Sequence, residues 1–278
     1  ESYGEYLGAL DDLPKGINVG GLVGHCALRL YAMGEEALEN PPASVEQIDA
    51  MHDAVSEAMA GGALGFSTSR TPLHFTPDGD AVPGTYATAQ ELKGICAALG
   101  EHGRGVGEAA TAITADTAEE TKANIESEIA WMTDISRDTG RPITFGLAQN
   151  RQVPEGYGWT LEKVAEAVKG GAKINPQSTA RGIGVLFGFQ NRTPFDRAPA
   201  WRALRGMSLP EKLAKLRNSE YRASMVEQAL ADMPPMEFED LFLMSHDAPR
   251  YDLDPSQSLT VQATQLNMSV PDAFIELS

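Results

Sequence analysis

The sequence predicts an α/β protein assembled from successive βα units around a parallel sheet. Three observations carry this. Short β-type runs recur at intervals of roughly 30 to 45 residues, the segments between them open with helix-capping residues, and glycines stand where those helices stop. The β-type runs are residues 18–23, 63–67, 105–108, 142–147 and 172–175, each preceded by a turn signal.

The helices take their places from their first turns. Residues 44–60 open with Ser44-x-x-Gln47, 88–100 with Thr88-x-x-Glu91, and 117–139 with Thr117-x-x-Glu120. All three fit a capping box, in which two side chains satisfy orphan amides of the first turn reciprocally. Gly61, Gly103, Gly140 and Gly170 are expected to end helices at positive φ. Right-handed crossovers would lay the helices on the sheet. Five units do not close an eight-stranded barrel, and by pattern alone an open doubly wound sheet fits equally.

After Gln177 the rhythm changes. Residues 181–195 mix glycine with apolar residues, 208–233 read as two charged helices, and 236–244 as an amphipathic piece, with joints at Pro234-Pro235 and 252–255. The expected division is therefore 1–180 for the βα units and 181–278 for a mainly helical excursion or insertion.

Composition narrows the function classes. A formal charge of −17, from 39 acidic and 22 basic residues, would repel phosphate backbones and anionic lipid surfaces. It argues against nucleic-acid and membrane partners and otherwise reads as solvated helix faces. The two cysteines, Cys26 and Cys96, cannot form a stapled framework and suit a reducing compartment. With no signal peptide and no apolar run near the roughly 18 residues of a membrane span, a cytoplasmic chain is expected. The start at Glu1 without methionine suggests a fragment, processed product or expression piece.

Several motifs point further. The stretch GALGFSTSRTPLHFTPDGDAVPGTYATAQEL, residues 62–92, closely resembles the N-acyl-D-amino-acid deacylases of the amidohydrolase superfamily, nearest the acyl-D-aspartate and acyl-D-glutamate type. So do Glu1-Ser2-Tyr3 with Glu5-Tyr6-Leu7, Val23-Gly24-His25 with Leu28-Arg29, and EIAWMTDISRDTGRPITFGLAQ at 128–149. Pro176-Gln177, the run Arg181-Gly182-Ile183-Gly184-Val185-Leu186, Pro194-Phe195 and residues 209–222 extend the likeness over nearly the whole chain.

The resemblance implies part of a metal-dependent (β/α)8 TIM barrel with a helical insertion, its five strands standing third to seventh. It also implies an accessory β-sandwich and a zinc-activated water that hydrolyses an amide. The His-x-His of the first strand and the late aspartate are not found in this sequence. Where relatives place zinc-binding histidines, the chain reads Gly107-Glu108-Ala109-Ala110 and Leu147-Ala148-Gln149. Zinc is thus implied by the family without any ligand assigned here, Glu108 being at most an assisting group.

The candidate site residues are strand-end polar groups. His25 could polarise a scissile carbonyl, or else orient its loop through backbone bonds. Ser67 and Ser69 end the next strand, and Arg70 offers a planar fork to a substrate carboxylate, the alternative being a buried ion pair with an acid such as Asp78. His74 lies in the following loop, shaped by Pro72, Pro77 and Pro83. Glu108, on an otherwise small and apolar strand end, would have a raised pKa if buried without a cation; its alternative is a structural pair with an arginine. Gln149 and Gln177 could hydrogen-bond a peptide-like substrate, or simply satisfy buried backbone.

His25 and Glu108 are therefore the catalytic candidates, and Arg29, Ser67, Ser69, Arg70, His74, Gln149 and Gln177 the substrate-binding ones. His25, Ser67, Glu108, Gln149 and Gln177 are expected at one C-terminal rim of the sheet. His52 and His102 read as solvated, His246 as isolated, and a Cys26 nucleophile beside His25 is rejected because adjacent strand residues face opposite ways. The leading function is hydrolysis of linear C–N amide bonds in N-acyl-D-amino acids, within a complete enzyme whose other barrel segments or partner chain lie outside this sequence. The alternative is a non-catalytic barrel segment that completes an assembly or binds acyl-amino acids without cleaving them.

Overall fold

The computed structural model describes residues 2–76, 79–180, 184–234, 236–244 and 252–278. The chain divides into two compact units, Glu1–Arg181 and Gly182–Ser278. In the first, helix α1 (Tyr3–Asp11) precedes β1 (Val23–Gly24), α2 (His25–Met33), a 3-10 turn (Gly34–Glu39) and α3 (Val45–Ala60). Then β2 (Gly65–Ser69), α4 (Ala89–Glu101), β3 (Val106–Ala110), α5 (Ala118–Thr139), β4 (Ile143–Gly146), α6 (Gly156–Lys169) and β5 (Ile174–Gln177) alternate.

All five strands are parallel and lie in sequence order. That order resolves the ambiguity left by the pattern. A doubly wound sheet reverses its strand order at a switch point, whereas here each crossover steps the same way, so right-handed connections put every helix on one face. Burial agrees. Register aligns Phe66, Gly107, Ile143 and Ile174, and the three side chains of that row join the core with Met51, Val55, Leu92, Ile95, Ile129, Met132 and Val164. The next row, Ser67, Glu108, Thr144 and Asn175, points to the other face. The fold is that of a singly wound βα segment, as in a partial (β/α)8 barrel.

Element boundaries moved for identifiable reasons. β1 keeps only Val23 of its expected run and adds Gly24, while β2 begins two residues late, at Gly65, which takes φ +148 where a Cβ would strike the Val106 backbone. Gly103 and Gly140 do adopt positive φ. Gly61 and Gly170 stay near −74 and −82, and the following glycines Gly62 and Gly171 carry the left-handed residue instead. Ser44 and Gln47 form the reciprocal capping box. Thr88 and Thr117 accept from the Glu91 and Glu120 amides, but neither glutamate returns its carboxylate to the N-cap amide.

The second unit contains α7 (Pro199–Arg202), α8 (Leu209–Leu216), α9 (Ser219–Ala231), α10 (Leu259–Leu266) and α11 (Val270–Leu277). Its core is aromatic: Phe195 lies 4.7 Å from Trp201 and 5.4 Å from Phe238, and Trp201 Nε1 donates to the Met225 carbonyl at 2.8 Å. The expected amphipathic piece at 236–244 is a 3-10 turn, Phe238–Asp240, with Phe238 buried. The motif at 181–183, Asp78 and His246 lie outside the described residues.

Candidate functional site

The C-terminal end of the sheet carries two polar groups separated by the sheet itself. On the helix-covered side, His25 is the first residue of α2 and is 1% exposed. Its Nε2 lies 2.9 Å from Glu91 Oε1 and its Nδ1 2.9 Å from Thr68 Oγ1. An ionised carboxylate only accepts, so Nε2 carries the proton, and Nδ1 accepts from the Thr68 hydroxyl. Both ring nitrogens are thereby occupied, leaving none to touch a substrate carbonyl. The Phe66 ring packs edge-on, 5.4 Å away.

Arg29, one turn further along α2, donates from Nη1 to Glu91 Oε1 at 2.5 Å and from Nη2 to the Pro41 carbonyl at 2.5 Å. Glu91 is fully buried. Burial alone would raise its pKa, but the hydrogen bond and charge of His25 and the Arg29 guanidinium hold it below the ordinary carboxylate value. Burial pushes the His25 pKa down, which agrees with a neutral imidazole beside an already neutralised Arg29–Glu91 pair.

Arg70 repeats the arrangement one unit on. Its Nε donates to Glu128 Oε1 at 2.8 Å, its Nη1 to the Ala87 carbonyl at 2.5 Å, and its guanidinium carbon lies 5.9 Å from the Trp131 ring centre. Arg70 makes its ion pair with Glu128 on helix α5 rather than with an acid of its own loop, of which Asp78 lies outside the described residues. Two of its donors are committed, and Nη2 has no acceptor among the described residues.

The open face is different. Ser67 and Glu108 are register partners on β2 and β3, and Glu108 is exposed, with no described residue bonding its carboxylate. The condition of burial considered for Glu108 is therefore not met. Ser69 Oγ lies 2.6 Å from His74 Nδ1. Gln177 ends β5 on the same face as Glu108 and is exposed. Gln149 lies beyond β4, exposed, its Nε2 3.5 Å from the Pro154 carbonyl. The single rim expected for these five is not formed as such: Ser67 and Glu108 are mid-strand, Gln177 ends β5, Gln149 lies beyond β4, and His25 follows β1 on the opposite face.

Two participants escaped sequence reasoning. Glu91 sits in a capping pattern and Glu128 in a helical run, and neither spacing distinguishes a solvated acid from a buried one. Their apolar neighbours gave the available signal: Leu92 and Ile95 beside Glu91, Ile129 and Met132 beside Glu128, all buried.

The fold defines a class by architecture alone, a singly wound parallel βα segment as found in part of a (β/α)8 barrel. In sequence, the chain is 38% identical over 103 residues to a D-aminoacylase of Alcaligenes xylosoxydans xylosoxydans, covering 37% of this chain and 19% of that protein. It is 43% identical over 76 residues to an N-acyl-D-glutamate deacylase of the same organism, covering 27% and 14%. No family model matches. In structure, the chain superposes on a D-aminoacylase assigned to a novel subset of amidohydrolases with TM-score 0.54 and 22% identity, over 82% of this chain and 45% of that one. A D-aminoacylase variant in complex with copper chloride aligns over all of this chain and 45% of its own, with TM-score 0.53 and 18% identity. The chain spans under half the length of these relatives, and it is D-aminoacylase-like in sequence and fold.

Proposed function

We propose that this chain forms the substrate-orienting wall of a hydrolase that removes the acyl group from N-acyl-D-amino acids. The observation that carries the reading is the polar row of a D-aminoacylase-like sheet, where Ser67 and Glu108 are register partners at mid-strand and Ser69, paired with His74, follows on the same face toward the C-terminal end. Its chemistry suits a linear amide. Ser67, Ser69, His74, Gln149 and Gln177 offer donors and acceptors to an acyl-amino acid, and Glu108 is a proton-transfer group facing the reacting bond. His25, Arg29 and Arg70 act from behind the strands: Arg29 through the Pro41 carbonyl, Arg70 through Ala87, and His25 through Thr68 and Glu91.

The family chemistry employs a metal, and the described residues of this chain do not fit one. Among the described residues no group of three or more His, Cys, Asp or Glu side chains could hold a metal ion, Glu108 included. No catalytic step is therefore routed through zinc here. The same observation favours the second reading, a segment that completes an assembly or binds acyl-amino acids without hydrolysing them.

The two are separated by Glu108→Gln in the complete enzyme, assayed with N-acetyl-D-glutamate. Glu108 is exposed and bonds no described side chain, so the melting temperature should stay within a degree or so while kcat/KM falls roughly 100-fold or more. An unchanged kcat/KM removes Glu108 from the chemistry.

A further inference from the structure

The loop between β2 and α4 carries His74, and one of the contacts that hold its shape comes from the preceding unit. Asn40, at the end of the 3-10 turn, takes the left-handed conformation with φ 54. From there its Nδ2 donates to the Ala81 carbonyl at 3.1 Å and its Oδ1 accepts from the Gly84 amide at 2.7 Å. One carboxamide thus grips both ends of a four-residue segment.

That segment backs His74. The Val82 amide donates to the His74 carbonyl at 3.3 Å, Phe75 and Ala81 form an antiparallel bridge, and Thr76 and Asp80 close the turn with a 2.8 Å backbone bond. At the far end His74 Nδ1 meets Ser69 Oγ at 2.6 Å. Beneath the grip, Gly84 at φ +96 rests on the His25 ring, where an added Cβ would stand 2.8 Å from Nδ1.

We infer that Asn40 is a positioning residue: it clamps residues 81–84 so that the paired backbone holds the His74 imidazole against Ser69 at the substrate face. The inference rests on the proposed reading only for what His74 then does, because the clamp itself is a matter of hydrogen bonds on the chain. His74 enters the site prearranged, and its ordering cost is met when the protein folds rather than when substrate binds.

Two variants test this. Asn40→Gly keeps the ease of positive φ and removes the whole carboxamide, whereas Asn40→Asp keeps the acceptor for Gly84 and loses the donor to Ala81. In this polypeptide, hydrogen exchange at the Gly84 amide should quicken roughly 10-fold or more in Asn40→Gly. The His74 ring resonances should move in both variants, while those of His52 and His102 stay fixed. A purely stabilising role would lower the melting temperature without moving His74 in the folded protein. Unmoved His74 resonances in the folded variants, or in Asn40→Asp alone if Asn40→Gly does not fold, overturn the inference. In the complete enzyme, KM for N-acetyl-D-glutamate should rise several-fold with kcat nearly unchanged. Moved resonances with an unchanged KM uphold the clamp and remove His74 from the substrate site.

Discussion

At the scale of single residues, Glu91 organises the covered side of the strand ends, and its oxygen Oε1 serves two donors from one helix. Replacing it by Gln keeps the shape but strands the Arg29 charge in the core, so a loss of about 3 kcal/mol or more is expected in chemical denaturation. His25 adds a pH dependence of defined sign. Its folded pKa lies below the ordinary 6.5, so above that pH the two states bind protons alike. As pH falls below about 6.5 the unfolded chain takes up a proton the folded chain refuses, and stability drops until the lowered folded pKa is passed. The lowered pKa of Glu91 adds a further loss below its ordinary 4.5. Urea midpoints measured from pH 8 to 5 should fall in the parent, and His25→Asn should flatten that slope. The sequence showed His25 and Arg29 as candidates, but it could not show which face they take. That depends on Gly24 ending its strand at once, so that His25 starts a helix.

At the scale of elements, the alternation of strand and helix was legible because capping residues, glycine stops and apolar periodicity agree. What could not be read was register. The motif around residues 63–70 reads as a strand followed by a polar loop, yet Thr68 and Ser69 belong to the strand and alternate between the faces. Only pairing with β3 decides that Ser67 shares a face with Glu108 and Thr68 with His25. Gly65 pins this register, and Gly65→Ala should cost roughly 3 kcal/mol or more through collision with the Val106 backbone and an unfavourable φ, read as a lowered melting temperature. Arg70 links the end of β2 to the loop before α4 and to α5. Because Arg70→Lys keeps the charge but cannot reach Glu128 and the Ala87 carbonyl together, it should cost roughly 1 to 2 kcal/mol of stability. If kcat/KM of the folded complete enzyme also falls tenfold, the Nη2 edge meets the substrate; an unchanged kcat/KM confines Arg70 to holding the loop.

At the scale of the whole molecule, a parallel sheet with one apolar and one polar face is unusual, since such sheets are generally covered on both sides. The polar row here follows from Ser67, Glu108 and Asn175 facing away from the helices, a feature visible in the sequence once register is known. This polypeptide alone is expected to retain less than one equivalent of zinc after dialysis and to turn over no N-acetyl-D-glutamate. Stoichiometric zinc or measurable turnover would show that the described residues understate its ligands.

The last strand bears on how the molecule behaves in a crowded solution. Carbonyls of Lys173 and Gln177 accept bonds from the β4 side, so alternation turns the backbone groups of Ile174 and Pro176 outward. Proline has no amide hydrogen, which leaves the outer border of β5, the last strand of the sheet among the described residues, short of one donor where another chain would try to stitch itself on. The opposite border, β1, is two residues long. Both selvedges are therefore poor templates for fibril-like stacking, and mutual repulsion from a net charge of −17 works in the same direction. Pro176→Val would restore the missing donor, and light scattering on concentrated samples should then rise faster with time than in the parent.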